Sequence, residues 1–180
     1  YSRAISNDAK HNFSKLLLEL IKKEGLELLT WSKKAIELQN RVNFINENMN
    51  NDFPTFTNDV LLETLELWLE PYLQNITTVK ELEALDIYTI LLGIIPWEKQ
   101  QLLETLAPNS IKVPSGSNIN IDYSNPKNPI LAVKIQEIFG LSVTPKILNN
   151  TIALQIHLLS PALRPIQITN DLKSFWENSY

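Results

Sequence analysis

His157, Ser160 and Asp171 supply the residue types of a nucleophilic hydrolase: an imidazole base, a hydroxyl, and a carboxylate to orient the ring. Their setting argues for something plainer. No nucleophile elbow surrounds Ser160. Inward alternation of Ile152, Leu154, Ile156 and Leu158 puts His157 on the opposite face of a strand, as an edge or partly exposed histidine. Pro114-Ser115-Gly116-Ser117 could offer backbone amides to an anion, but no helix N-terminus follows to reinforce such a site. It reads as a hairpin turn. A nucleotide motor needs Gly-x-x-x-x-Gly-Lys-Ser/Thr, because backbone amides and one lysine must cradle the phosphates. The four glycines, Gly25, Gly93, Gly116 and Gly140, are not followed by lysine, and no Asp-Glu-x-His sequence occurs. Two histidines 146 positions apart (His11 and His157), no cysteine and isolated aspartates give no metal-ligand spacing.

Nucleic-acid contact is the other chemistry the residue types allow. Lys112, Asn118, Asn120, Lys134, Arg164, Gln167 and Lys173 could line one polar face of a sheet, with Tyr123 available for stacking. The candidate contacts are therefore Lys112, Tyr123, Lys134, Arg164 and Lys173. Charge weighs against a strong interaction. Residues 1–50 carry eight basic and six acidic side chains, a net +2; residues 51–107 carry two and ten, a net −8; residues 108–180 carry six and four, a net +2. A polyanion is repelled by the middle segment and weakly attracted by the ends. Trp31, Trp68, Trp97 and Trp176 could stack on bases. The first three sit beside leucines at helical spacing, which predicts core positions. Glu63, Glu66 and Glu70 share one helical stripe, either a solvated face or a docking face for a basic partner.

The chain of 180 residues with a net charge of −4, 44% hydrophobic and 20% charged, has a globular composition large enough for a core without staples. Zero cysteines exclude disulfides and fit a reducing compartment. The uncharged apolar run Ile87 to Trp97 is far shorter than the ~20 residues of a membrane span. No signal peptide is evident in Tyr1-Ser-Arg-Ala-Ile-Ser-Asn-Asp. The expectation is a soluble intracellular protein with no membrane partner. A first residue other than Met suggests a piece of a longer chain.

Periodicity predicts the elements that would carry these residues. Phe13, Leu16, Leu17, Leu20 and Ile21 mark a helix over 7–24, stopped by Gly25. Ser32 caps a second helix with Ala35, Leu38, Val42, Ile45 and Met49 inward. A loop is expected from Asn46 to Asn58. Asn58 then caps a helix through Leu61, Leu62, Leu65 and Trp68, ended by Pro71. Thr78 with Glu81 boxes Val79–Leu85, Asp86 caps Ile87–Leu92, and Pro96-Trp97 opens a helix through Leu102, Leu103 and Leu106. After Pro108 the period changes to two. Residues 110–123 read as a hairpin, and Ile130 to Gly140 as a short strand feeding one or two helical turns. Thr151–Leu159 reads as a fourth strand, Ile166 and Ile168 mark a fifth, and Asn170 or Asp171 caps a last helix with Phe175 and Trp176. The class is α+β: a helical N-terminal part over 1–107 packed on a small, mostly antiparallel β-sheet with helical cover over 108–180.

The wording of the last third is more specific than its chemistry. Val113-Pro-Ser-Gly-Ser117, Ile119-Asn-Ile-Asp-Tyr-Ser124, Gln136-Glu-Ile-Phe-Gly140, His157-Leu-Leu-Ser-Pro-Ala162, Arg164-Pro165, Thr169-Asn-Asp-Leu172 and Phe175-Trp176 together resemble the C-terminal region of the HrpB family of bacterial DEAH-type ATP-dependent RNA helicases. Gly25-Leu26 to Trp31-Ser32, Arg41-Val42, Leu67-Trp68 to Leu73 and Ala107-Pro108 extend the resemblance upstream. It implies a cytoplasmic, non-catalytic region following two RecA-like motor domains. ATP and Mg would be held by that motor, with no cofactor here. Family members run past Ser179-Tyr180 into a tail rich in proline and basic residues, so the resemblance implies a module cut short at Tyr180. It also implies a structural or interaction role beside the motor domains of the same chain. The alternative is a direct RNA-binding module, with weak binding by this region alone.

Overall fold

The computed structural model describes residues 7–49 and 52–178; the expectations that fall on Tyr1–Ser6, Asn50, Asn51, Ser179 and Tyr180 lie outside them. The chain forms two compact units. One holds the chain up to Gln39 together with Pro54–Pro96; the other holds Asn40–Phe53 together with Trp97 onward. The change of periodicity at Pro108 does not disclose this grouping, in which segment 40–53 and the helix before Pro108 go with the sheet.

The first unit is helical. α1 (Asn7–Glu24) buries Ser14, Leu17, Leu18 and Ile21, while Leu16 and Leu20 are 66% and 44% exposed. The expected stripe is thus rotated by about one residue. Ser14 makes the rotation affordable, since its hydroxyl donates to the carbonyls of Lys10 and Leu73 and so enters the core satisfied. Gly25 ends α1 at φ 103°, its N–H bonded to the Ile21 carbonyl. Ser32 caps α2 (Lys33–Asn48) through the Ala35 N–H, as the sequence predicts, and Ala35 and Leu38 are buried in this unit.

The next helical stretch is broken where one continuous helix is expected. α3 (Asn58–Glu63), α4 (Leu65–Trp68) and α5 (Glu70–Leu73) restart at Thr64 and Leu69. Thr57, not Asn58, is the cap of α3; the Asn58 side chain instead accepts from Gln39. Pro71 does not end a helix but sits in the first turn of α5, where its missing N–H is no loss. Thr78 caps α6 (Val79–Glu83), two residues shorter than expected, and Asp86 caps α7 (Ile87–Ile94) through the Thr89 N–H. The Asp86 carboxyl lies below its ordinary range, chiefly because the Thr89 hydroxyl bonds it.

The second unit contains the rest of α2, α8 (Trp97–Leu106), the sheet and α9 (Leu172–Asn178). Val42, Phe44 and Ile45 of α2 and Leu103 and Leu106 of α8 are buried. Trp97 is not the core residue the spacing predicts: it is 67% exposed, and Leu102 is exposed with it. α8 turns its Leu103 and Leu106 side inward and its first turn to solvent. Arg41 is buried here, its Nε–H on the Ala107 carbonyl at 2.7 Å and its Nη on Glu104 at 2.8 Å.

The five-stranded sheet has the order β1-β2-β3-β6-β7, with β1 (Ser110–Lys112), β2 (Asn118–Asp122), β3 (Ile130–Lys134), β6 (Gln155–Leu159) and β7 (Pro165–Thr169). The expected hairpin pairs Ile111 with Ile119. β3 leads into a 3-10 turn over Ile135–Ile138 and stops near Gly140 at φ 90°, also as expected. All pairs are antiparallel except β3 with β6, which runs parallel. The connection between them is long enough to reverse the chain and includes a small hairpin of β4 (Lys146–Ile147) and β5 (Ile152–Ala153). The expected strand over Thr151–Leu159 is therefore two, broken at Leu154. The tight turn of that hairpin places Leu148, Asn149 and Asn150 at φ 56°, 57° and 64°, where asparagine is tolerated best.

Ile121, Leu131, Val133, Ile156 and Leu158 form the buried face. Ile166 and Ile168 do not join it. Register sets Ile168 beside His157 on the opposite face, and both isoleucines are more than half exposed on edge strand β7.

Candidate functional site

The hydrolase constellation is not assembled. His157 Nε2 pairs with Gln155 Oε1 at 2.9 Å on the same strand face. The Ser160 hydroxyl accepts the Arg164 N–H, closing a tight turn. Asp171 accepts both the N–H and the hydroxyl of Ser174 at the start of α9, and these bonds, the backbone one foremost, hold its carboxyl below the ordinary range. Three side chains serve three local structures.

The amides of the Pro114–Ser117 turn are likewise already bonded. The Ser115 N–H donates to the Glu137 carbonyl, the Gly116 N–H to the Val113 carbonyl, and the Ser117 N–H to the Ser115 hydroxyl. Gly116 at φ 95° permits the turn. An anion arriving there would meet donors already in use. Among the described residues no group of three or more His, Asp or Glu is placed to hold a metal ion.

The proposed nucleic-acid residues do not share one face. Lys112, Asn118 and Asn120 share one face of β1 and β2, and Lys134 lies on the same side of β3 by alternation from buried Leu131 and Val133. The Ala132–His157–Ile168 row continues this face across the sheet. Gln167 points the other way, being opposite Leu158, while Arg164 belongs to the turn before β7 and Lys173 to α9. Tyr123 cannot stack on a base. It is 4% exposed, its ring lies 5.1 Å from that of Phe44, and its hydroxyl donates to the Pro108 carbonyl at 2.6 Å. Burial drives its phenol far above the ordinary value, Arg41 pulling it back and Glu104 adding a little.

Of the tryptophans, Trp68 is buried with its indole N–H on the Leu61 carbonyl. Trp31 and Trp176 are half-buried, bonded to the Leu26 and Leu141 carbonyls. Periodicity gives no sign of a solvent-open apolar groove in the helical unit, about 500 Å3 in volume, between the Pro54–Phe56 segment, α3–α5 and α7. The available signal is a dipeptide pattern: Asp59-Val60, Glu63-Thr64, Glu66-Leu67 and Glu70-Pro71 each set a groove residue directly after a carboxylate.

What remains distinctive is an α+β fold whose second half carries an open-faced sheet and no assembled catalytic group among the described residues. Residues 68–180 match the family model described as ATP-dependent helicase C-terminal, and the chain belongs to that family. Over 180 residues it is 36% identical to the ATP-dependent RNA helicase HrpB of Escherichia coli strain K12, covering 98% of this chain. Two solved structures are similar. The E. coli DExH-box NTPase HrpB has a TM-score of 0.84 at 36% identity over 99% of this chain. A second, of the Escherichia coli DEAH/RHA helicase HrpB, has a TM-score of 0.83 at 35% identity over 98%. The chain spans 22% of the length of each of these relatives. No helix among the described residues is long and apolar enough to cross a membrane.

Proposed function

We propose that this chain is a non-catalytic accessory region of an ATP-dependent helicase, acting by structure and interaction in support of motor domains in the same polypeptide. The observation that carries the reading is membership in the helicase C-terminal family over residues 68–180. The commitment of His157, Ser160, Asp171 and the Pro114–Ser117 amides to local bonds supports it. In this reading ATP and Mg belong to the motor, the setting is the cytoplasm, and this region contributes neither a phosphate cradle nor a base. The test compares ATPase and unwinding by the full-length protein with and without this region. Unwinding or RNA-stimulated turnover should fall severalfold while nucleotide still binds the motor. Unchanged turnover and unwinding would reject an accessory role, and saturable calorimetric binding of nucleotide to the 180-residue chain would reject its silence.

A second reading, direct RNA contact, is favoured by one observation: Lys112 and Lys134 stand on the same open sheet face as Asn118 and Asn120. Few phosphates could be neutralised by two lysines, so binding should be weak and the salt slope shallow. Fluorescence anisotropy with labelled single-stranded RNA should show little binding at physiological salt, and what binds at low salt should be lost on replacing Lys112 and Lys134 with Ala. Sub-micromolar affinity at physiological salt, unchanged in that variant, would refute both the weakness and the face.

A further inference from the structure

The groove of the helical unit has an apolar floor, and four carboxylates adjoin its lining residues in sequence. Phe56, Leu61, Trp68 and Ile90 are buried beneath it, while Leu67 and Tyr72 stand 80% and 49% exposed at its edge. No charged residue lines it. Its volume of about 500 Å3 falls within the range of specific binding pockets.

The charge lies one residue back along the chain, about 100° round the helix from the lining. Val60, Thr64, Leu67 and Pro71 all line the groove, and Asp59, Glu63, Glu66 and Glu70 immediately precede them. Glu66 is engaged by Lys22 of α1, whose ammonium is held protonated above its ordinary range, first by the Glu66 bond and further by the nearby charges of Glu19 and Glu70. One lysine thus sits among three carboxylates. Asp59 and Glu63 are exposed and make no ion pair with another described residue. Solvating such a stripe needs no partner. Placing it alongside exposed leucine and tyrosine, over a ready cleft, matches an apolar segment flanked by positive charge.

We propose that this groove docks a short peptide segment of a partner protein, with two or three apolar anchors seated on Trp68, Leu67 and Tyr72 and lysines or arginines drawn to Asp59, Glu63, Glu66 and Glu70. Burial of the anchors supplies affinity, and the carboxylates select basic over acidic sequences and speed encounter. RNA is disfavoured at this surface by the same carboxylates, which repel phosphates. The proposal goes beyond the role given above, which concerns motor domains of the same polypeptide, and adds a separate partner.

Gly93 provides a clean block. It lines the groove from the last turn of α7, and a Cβ there meets nothing within 4 Å, so Gly93→Phe starts its side chain in open space beside the cleft. Leu67→Ser removes a seat for one anchor at a position that is already 80% exposed. The probe is a fluorescein-labelled twelve-residue peptide with leucines at three- and four-residue spacing and lysines between them. Its control carries glutamates in place of the lysines. Titrated against the 180-residue chain, the lysine peptide should bind with an affinity that falls about tenfold in Gly93→Phe, and again in Asp59→Lys/Glu63→Lys, with both variants still unfolding cooperatively. Leu67→Ser should weaken it by a smaller factor, and added salt should weaken it in the native chain.

Equal binding of the two peptides, or binding unaffected by Gly93→Phe, would overturn the proposal. So would sedimentation showing a dimer of this chain that Gly93→Phe dissolves, or RNA displacing the probe, since the occupant would then be a second copy or a nucleic acid. The titration involves no motor domain. Its failure therefore leaves the accessory role standing, and loss of the motor effect leaves a positive titration intact.

Discussion

Replacing Trp68 with alanine should destabilise the helical unit by about 3–5 kcal/mol, whereas the same replacement at Trp97 should cost no more than about 0.5 kcal/mol. Both tryptophans sit on helices beside leucines, and sequence spacing treats them alike. The structure does not. Trp68 is 5% exposed on α4, and its indole N–H donates to the Leu61 carbonyl at 2.8 Å. Truncation there opens a cavity, since neighbours from α3, α5 and α7 are held by their own packing, and it removes a donor from a buried carbonyl. Trp97 is 67% exposed in the first turn of α8, so alanine removes little buried area. Urea unfolding followed by far-UV circular dichroism measures both. Similar midpoints for the two variants, or a larger shift for Trp97→Ala, would overturn this assignment of buried and exposed tryptophan.

Arg41→Ala should cost the sheet-bearing unit about 3 kcal/mol, and Arg41→Met more than half of that. Arg41 is 3% exposed, and its Nε–H reaches the fully buried Ala107 carbonyl at 2.7 Å while Nη meets Glu104 at 2.8 Å. The Glu104 side chain is 65% exposed, so the ion pair itself is screened and contributes little. The charge-assisted bond to the carbonyl dominates, worth about 1.5–3 kcal/mol, with the packed aliphatic stem adding the rest. Methionine restores the stem and not the bond, which is why it recovers only part. A loss below about 1 kcal/mol for alanine, or no difference between alanine and methionine, would remove the bond from the account.

The two predictions differ in how far the sequence anticipates them. Arg41 looks like one more surface cation on a helix with Ala35, Leu38, Val42 and Ile45 inward. Nothing local reveals that residue 107 arrives opposite it, because that contact spans 66 positions. The groove is hidden for the same reason: its walls come from three separated segments, and only their packing makes a cavity.

Sequence alone determined the class and most of the element types, because those depend on local quantities. Side-chain alternation marked β1, β2, the strand within 130–134 and β7, while hydroxyl and carboxylate caps at Ser32, Thr78 and Asp86 marked helix starts. It also carried the resemblance to the helicase C-terminal family, since word order survives without any knowledge of contacts. Tertiary structure decided which faces are buried. Leu16, Leu20, Trp97, Ile166 and Ile168 keep their apolar character yet lie in solvent, because a hydrophobic period states that a face exists and not which neighbour covers it. It decided that β3 and β6 run parallel, a choice made by a long connection rather than by either strand. It withdrew Tyr123 from any stacking role, because the phenol that looks available in Asp122-Tyr-Ser124 is needed against Phe44 and the Pro108 carbonyl. Local chemistry fixes what a residue can do; only the packing of distant segments fixes what reaches it.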